Sequence, residues 1–198
     1  MSALTFAELR RINVARCTEA WKHPLDSWTI ADWLVAIGGE AGEALNLVKK
    51  LNRERDGIIG NSKAASDLLD DLADELADGV IYADLTLARL DASLSPRQDI
   101  VSFGSFAEFN RSRFPYGDEG ANASTWGLVI LEALGMAARA ETEERLALSL
   151  RLVVGAMDLL AQSMNIDLGA AVSAKFNATS IKHGFPHRLG AEVGEAAL

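Results

Sequence analysis

Two pairs of acids in this chain have the spacing that metal chemistry needs. Glu40 and Glu43 stand three residues apart in Gly38-Gly39-Glu40-Ala41-Gly42-Glu43-Ala44, so a helix projects both from one face, about a turn apart. Ile37, Ala44 and Leu47 beside them are apolar. The two carboxylates therefore sit at the edge of a buried stripe, where a bare charge is costly. A second set, Asp71, Asp74, Glu75 and Asp78, lies next to Leu72, Leu76 and Tyr82. Acids converging from two helices repel one another unless a cation neutralises them, and oxygen-only ligands select a hard ion, Mg²⁺ or Mn²⁺. Gly38, Gly39 and Gly42 add a further expectation. Each glycine costs a helix about 1 kcal/mol against alanine, so three together imply that something approaches that backbone closely. Asp67, Asp70 and Asp71 read as solvated surface acids.

Two other metal chemistries are set aside. A carboxylate di-iron bundle uses Glu-x-x-His motifs, and the three histidines, His23, His183 and His187, are not so placed. Asp70-Asp71-x-x-Asp74 has the spacing of the aspartate-rich motif of prenyl diphosphate synthases, but the second such motif of those longer enzymes is missing.

The elements that must position the acids are helices. Leu, Ala, Glu and Asp recur at spacings of three and four, and strand-like alternation is scarce. Thr5-Phe6-Ala7-Glu8 is a capping box, opening a helix that runs to about Ala20, before His23-Pro24. Thr29 caps a second helix through Leu51, ended near Asp56-Gly57, and Ser66 caps a third through Leu90. The fold class expected is all-α.

Composition narrows the partners. The 198 residues carry 19 Lys+Arg against 28 Asp+Glu, a net charge of −9, which speaks against nucleic acid as the main partner. No apolar run approaches the ~18 residues of a membrane span, so no membrane partner is expected. The single cysteine, Cys17, excludes an intramolecular disulfide and fits a reducing compartment. No signal pattern opens the chain, and the expected location is cytoplasmic.

A comparable pattern then occurs a second time. Ser105-Phe106-Ala107-Glu108 repeats the capping box, and Asn110-x-x-Arg113 echoes Asn13-x-x-Arg16. Trp126, Ile130 and Gly135 reproduce the spacing of Trp33, Ile37 and Gly42, while Asp158-Leu159 and Leu168 repeat Asp84-Leu85 and Leu94. Their order along the chain indicates a degenerate internal duplication. A first half, residues 1–94, would be followed by a second half with a C-terminal tail, residues 95–198. Each half offers too little apolar surface for its own core, so the two should pack into one globule. Residues Ser95 to Ser102 would link the halves, and Phe114 to Ala123 would form a surface loop.

Gly39-Glu40-Ala41-Gly42-Glu43-Ala44, followed by Asp74-Glu75-Leu76-Ala77-Asp78-Gly79-Val80-Ile81-Tyr82, resembles the signature of the all-α nucleoside triphosphate pyrophosphohydrolases. That superfamily includes the MazG proteins, the dimeric dUTPases and the dCTP pyrophosphatases. The tail from Asp167-Leu168 through Lys175-Phe176-Asn177-x-x-Ser180-x-Lys182-x-Gly184-Phe185-Pro186 is similar to the segment that closes many MazG-like chains, and Trp21-x-His23-Pro24 to a stretch ahead of their first motif. Two features depart from the pattern. Gly39 stands where many members have an additional acid, and 31 residues separate Glu43 from Glu75.

The resemblance implies a MazG-like helical bundle that hydrolyses a nucleoside triphosphate, with deoxynucleotides the expected class, to monophosphate and pyrophosphate. Glu40, Glu43, Glu75 and Asp78 would hold Mg²⁺ or Mn²⁺, and Glu43 is the first choice to accept a proton from the attacking water. Lys175 and Lys182 would offset phosphate charge and Asn177 would donate to a phosphate oxygen. Tyr82 and Trp21 would wall the base, and Asn13 would read its edge. Family members assemble as dimers, so a homodimer is one expectation. A fused repeat would instead make the chain a covalent pseudo-dimer, because Glu40, Glu43, Glu75 and Asp78 fall opposite Ala133, Met136, Ser149 and Leu152. The competing expectation is a catalytically silent helical protein that binds a nucleotide or a partner.

Overall fold

Thr5 accepts from the Glu8 N–H at 3.2 Å and caps helix α1, Phe6–Ala15. In the computed structural model, which describes residues 3–90, 100–106, 108–109 and 121–190, α1 passes directly into a π-helical stretch, Arg16–Ala20. Together they cover the first expected helix. Helix α2 spans Ile30–Arg55 and opens on a complete capping box between Thr29 and Asp32. It outlasts the expected end at Leu51 by a turn that carries Arg53 and Arg55, where the helix dipole favours cations. Helix α3, Ala65–Leu90, starts one residue before Ser66, so Ser66 lies inside the helix and does not cap it.

In the second half the Glu108 carboxylate accepts from the Ser105 N–H at 2.8 Å, as the repeated capping box requires. A 3₁₀ turn covers Ile100–Phe103. Asn122 caps α4 (Ala123–Ala138), Thr142 caps α5 (Glu143–Ser163) and Asp167 caps α6 (Leu168–Lys182). The protein is all-helical: among the described residues there is no strand, only an isolated antiparallel bridge between Thr5 and Ser105. The expected boundary at 94/95, Asn110, Arg113 and most of the Phe114–Ala123 loop lie outside the described residues.

Two hairpins, α2/α3 and α4/α5, are the main packing units, and they pack like on like, α2 against α4 and α3 against α5. Helices α1 and α6 both lie on α3. One apolar core runs through both halves, from Leu9, Ile37, Leu72 and Leu76 to Ile130, Leu150, Met157 and Phe176. Near the Thr5–Ser105 bridge Phe6 and Phe106 touch each other, ring centroids 4.6 Å apart.

Helix α5 has a structural reason for its apolar character. Its 21 residues, with a mean hydropathy of 1.4 over the best window, are long and apolar enough to cross a membrane, and 72% of that window is buried inside the protein. Arg145 and Arg151 interrupt the apolar run in sequence. The helix is apolar because the two hairpins close around it.

Candidate metal centre and aromatic cleft

Ile37, Ala41 and Ala44 on α2, and Leu72, Leu76 and Ala77 on α3, are buried and lock the two helices together. That packing leaves Glu40, Glu43 and Glu75 along the rim of the hairpin. Each offers a carboxylate oxygen within 4.8 Å of those of the other two. A close approach deeper in the core supports this. A Cβ at Gly79 would meet the Met157 methyl at 2.6 Å and the Glu40 Cβ at 3.8 Å, so a bare backbone at 79 lets α3 lie against α5 beside Glu40. The glycines of the first motif do not act this way. Nothing stands within 4 Å of a Cβ at Gly38, Gly39 or Gly42. The close approach expected there is not made by the chain itself.

Crowding of like charges is visible in the protonation of the acids. Glu40 is pushed up to about 7, first by burial, then by the Asp78 charge and by its hydrogen bond to Glu75. Burial also raises Glu75, against the stabilising effect of that hydrogen bond, so the metal-free pair shares a proton held on Glu40. A donor set of three carboxylates that retains a proton near neutrality fits a hard divalent cation, which would displace it.

Asp78, the fourth expected ligand, stands apart from the trio. The Lys175 ammonium lies 3.2 Å from its carboxylate and 3.0 Å from that of Asp74. Burial raises Asp78, while Lys175 and, more weakly, Arg16 oppose that rise. Lys175 reaches this point because α6 packs on α3 through Val172 and Phe176, both fully buried.

Asp78 also borders a cleft of about 570 Å³, walled by Trp21, Trp28, Trp33 and Tyr82 together with Asn13 and Arg16. This size is ordinary for a small-molecule site. His23 stacks on Trp33 with ring centroids 5.3 Å apart, and Trp28 meets the Trp33 ring edge-on at 4.8 Å. The π-helical turn aims Arg16 and Cys17 into the cleft, and Lys22 just beyond it holds φ at +54°, a left-handed conformation rare outside glycine.

The expected substrate contacts fare differently. Tyr82 and Trp21 both wall the cleft; Tyr82 is half-buried, and the Trp21 ring packs edge-on against His183 and Phe185 at 4.7 Å each. Asn13 is at the cleft wall, but its amide nitrogen donates to the Ile81 carbonyl and to Asp84, both at 3.0 Å, and ties α1 to α3. Asn177 is committed to the tail: it donates to the Leu189 carbonyl at 2.9 Å and accepts from the Leu189 N–H at 2.8 Å. Lys182 is exposed, two turns beyond Lys175 on α6.

Sequence reasoning missed Arg16, which is only 5% exposed. Its guanidinium lies 3.4 Å from the centre of the Phe176 ring and donates to the Phe176 carbonyl at 2.9 Å and to Ser180 Oγ at 3.3 Å. Burial lowers it to about 10, against the pull of the Asp78 charge. The signal was present in Asn13-x-x-Arg16, two polar residues three apart on an otherwise apolar face. Trp28 and Trp33 were missed as cleft walls because Trp33 reads as a core residue of α2 and Trp28 lies in the bend ahead of that helix, where no periodicity marks it.

A scan against family models matches none, and comparison with curated proteins and with solved structures finds no significant match. The likeness to the all-α pyrophosphohydrolases rests on the motif residues themselves.

Proposed function

We propose that this protein is a metal-dependent nucleoside triphosphate pyrophosphohydrolase of MazG-like architecture, acting on a deoxynucleoside triphosphate. The observation that carries the reading is the convergence of Glu40, Glu43 and Glu75 within 4.8 Å, beside an aromatic cleft that Asp78 shares. Acids and cleft together offer what the reaction needs: a metal cage for phosphates and an apolar slot for a base.

Glu40, Glu43 and Glu75 would hold Mg²⁺, or Mn²⁺, with Asp78 completing the set once Lys175 turns from it to a phosphate. The bound ion supplies charge neutralisation on the phosphates. Glu43 is the exposed member of the trio, and its carboxylate oxygen is the one open to accept a proton from the attacking water. Lys175 offsets phosphate charge beyond the cage. Arg16, held rigid by Phe176 and Ser180, keeps a fixed positive charge at the cleft floor beside Asp78. Trp21 and Tyr82 supply flat faces for a base, and the fully buried Trp33 backs them.

The second half acts as the supporting partner of a pseudo-dimer. Like-on-like packing of the hairpins, and the contact of Phe6 with Phe106, are what an isologous interface produces near its axis. Its hairpin carries Ala133, Met136, Ser149 and Leu152 at the positions paired with the acids, which leaves one catalytic site per chain.

The test is release of pyrophosphate from a panel of deoxynucleoside triphosphates with and without Mg²⁺. Magnesium-dependent release is the expected result. Binding of nucleotides with no turnover on any of them would leave the silent binding protein as the better reading.

A further inference from the structure

The residues along the α2/α3 hairpin follow an order that the acids alone do not explain. Trp33 and Leu85 belong to the aromatic cleft, Glu40, Glu43, Glu75 and Asp78 to the acidic rim, and Lys50, Arg53 and Leu68 to a third feature nearer the hairpin tip. Trp33 and Glu40, like Glu43 and Lys50, are seven positions apart on α2, and so are Leu68 and Glu75, and Asp78 and Leu85, on α3. Seven residues are close to two full turns, so these positions share a face, spaced about 10 Å apart along the groove. Aromatic cleft, carboxylates and basic hollow thus lie in a line.

The third feature is a hollow of about 150 Å³ on whose walls Lys49, Lys50, Arg53 and Lys63 meet. In a chain of net charge −9, no ion pair among the described residues reaches Lys49, Lys50 or Arg53. Lys63 pairs with Asp71. The helix dipole accounts for cations in the last turn of α2, but Lys49 and Lys50 precede that turn and Lys63 lies beyond it. The loop that borders the hollow is ordered by its own contacts. Asn61 donates to the Lys50 carbonyl at 2.9 Å and to Glu54 at 2.6 Å, and Gly60 holds φ at +124° with the Arg53 guanidinium over it. The long interval between the two acidic motifs supplies this loop.

We propose that the hollow at the tip of the α2/α3 hairpin is a subsite for the terminal phosphates of a polyphosphate chain. It receives the distal phosphate of the bound nucleotide, and the pyrophosphate that leaves. Lys50 and Arg53 make the principal contacts, since an ammonium and a guanidinium offer several donors each to phosphate oxygens. Lys49 and Lys63 add charge at the rim. The assignment to the nucleotide rests on the function proposed above; the capacity to bind a phosphate chain does not.

Two measurements separate the two claims. The first is calorimetric titration of the metal-free protein, in EDTA and at low ionic strength, with inorganic pyrophosphate. The wild type should bind, more weakly as salt is added. The double variant Lys50→Gln/Arg53→Gln should lose about tenfold in affinity. Glu43→Gln should bind as well as the wild type or better. Equal affinity in the double variant and the wild type, or a loss in Glu43→Gln, overturns the subsite. The second measurement is the KM for the preferred triphosphate against the inhibition constant of the corresponding monophosphate. The double variant should raise the former about fivefold and leave the latter alone. A change in neither overturns the link to the nucleotide. If no nucleotide is hydrolysed and pyrophosphate still depends on Lys50 and Arg53, the hydrolase reading falls and the anion site stands.

Discussion

The α2/α3 and α4/α5 hairpins solve the same packing problem with different chemistry. Both bury an isoleucine at the paired position, Ile37 and Ile130, and both bury an aspartate, Asp84 and Asp158. Both are opened by a side-chain cap, Thr29 on α2 and Asn122 on α4. The difference lies at the rim. Where the first hairpin places carboxylates that crowd one another, the second has Ala133 and Ser149 buried, and Ser149 Oγ donates back to the Arg145 carbonyl at 2.9 Å. Packing can be kept by any residue of suitable size and polarity, whereas a hard cation is held only by oxygen donors in convergent positions. Two hairpins can therefore share a way of packing while only one of them brings oxygen donors together.

The sharpest way to break this contrast is to remove the acids. Glu43→Gln or Asp78→Asn should lower magnesium-dependent pyrophosphate release by about a hundredfold or more. Removing one charge from a crowded set relieves repulsion, so the thermal midpoint of the metal-free protein should hold or rise. Calorimetry with a non-hydrolysable nucleotide and Mg²⁺ should count one site per chain. Wild-type turnover in either variant would end the metal-cage reading, and two equivalent sites would end the asymmetry.

A second test sits in the supporting hairpin. Burial pushes the Asp158 carboxyl up to about 6, with Asp167 adding to the rise and Gln162 opposing it. The folded state therefore holds a proton that the unfolded chain releases nearer its ordinary value of 3.8. The stability gained from that proton is complete below about pH 4 and is lost as pH rises through about 6. Asp158→Asn should flatten this loss, and at pH 7 it should exceed the wild type by on the order of 2 kcal/mol. Urea titrations at pH 4.5 and pH 7 measure the difference, and parallel pH profiles for the two proteins would refute it.

Gly79→Ala addresses the contact between the hairpins. The new methyl would meet the flexible end of Met157, so we expect a cost of about 1–2 kcal/mol in urea titration and a weaker apparent Mg²⁺ affinity as Glu40 and Glu75 shift apart. An unchanged midpoint would mean that Met157 swings aside freely. The smallest effect belongs to Gly39→Ala, which faces open space on the exposed side of α2 and should stabilise by roughly 0.5–1 kcal/mol. A loss of stability there would show that the backbone at 39 is needed for a reason the monomer does not contain.

A truncation before Lys175 is a poor probe of the tail, since it would delete Phe176 and Ser180, both fully buried. Lys175→Met isolates the charge. Binding of triphosphate should weaken while the helical spectrum stays the same.

What could be read from the sequence was local. The caps at Thr5 and Thr29, the all-helical class, and the pairing of Glu40 with Glu43 on one face follow from hydrogen bonds and side-chain directions within about four residues of each position. Tertiary structure decided which of those groups meet. It drew Glu75 to the first pair, turned Asp78 and Asp74 to Lys175, and engaged Asn177 with the tail in place of the open site. It also placed Arg16 under the cleft through contacts with Phe176 and Ser180, which lie 160 and 164 residues away in sequence. Local signals have no access to such contacts. They depend on how α6 and the π-helical turn after α1 seat against the rest of the fold, and a periodic pattern says which face of a helix is buried but not which neighbour covers it.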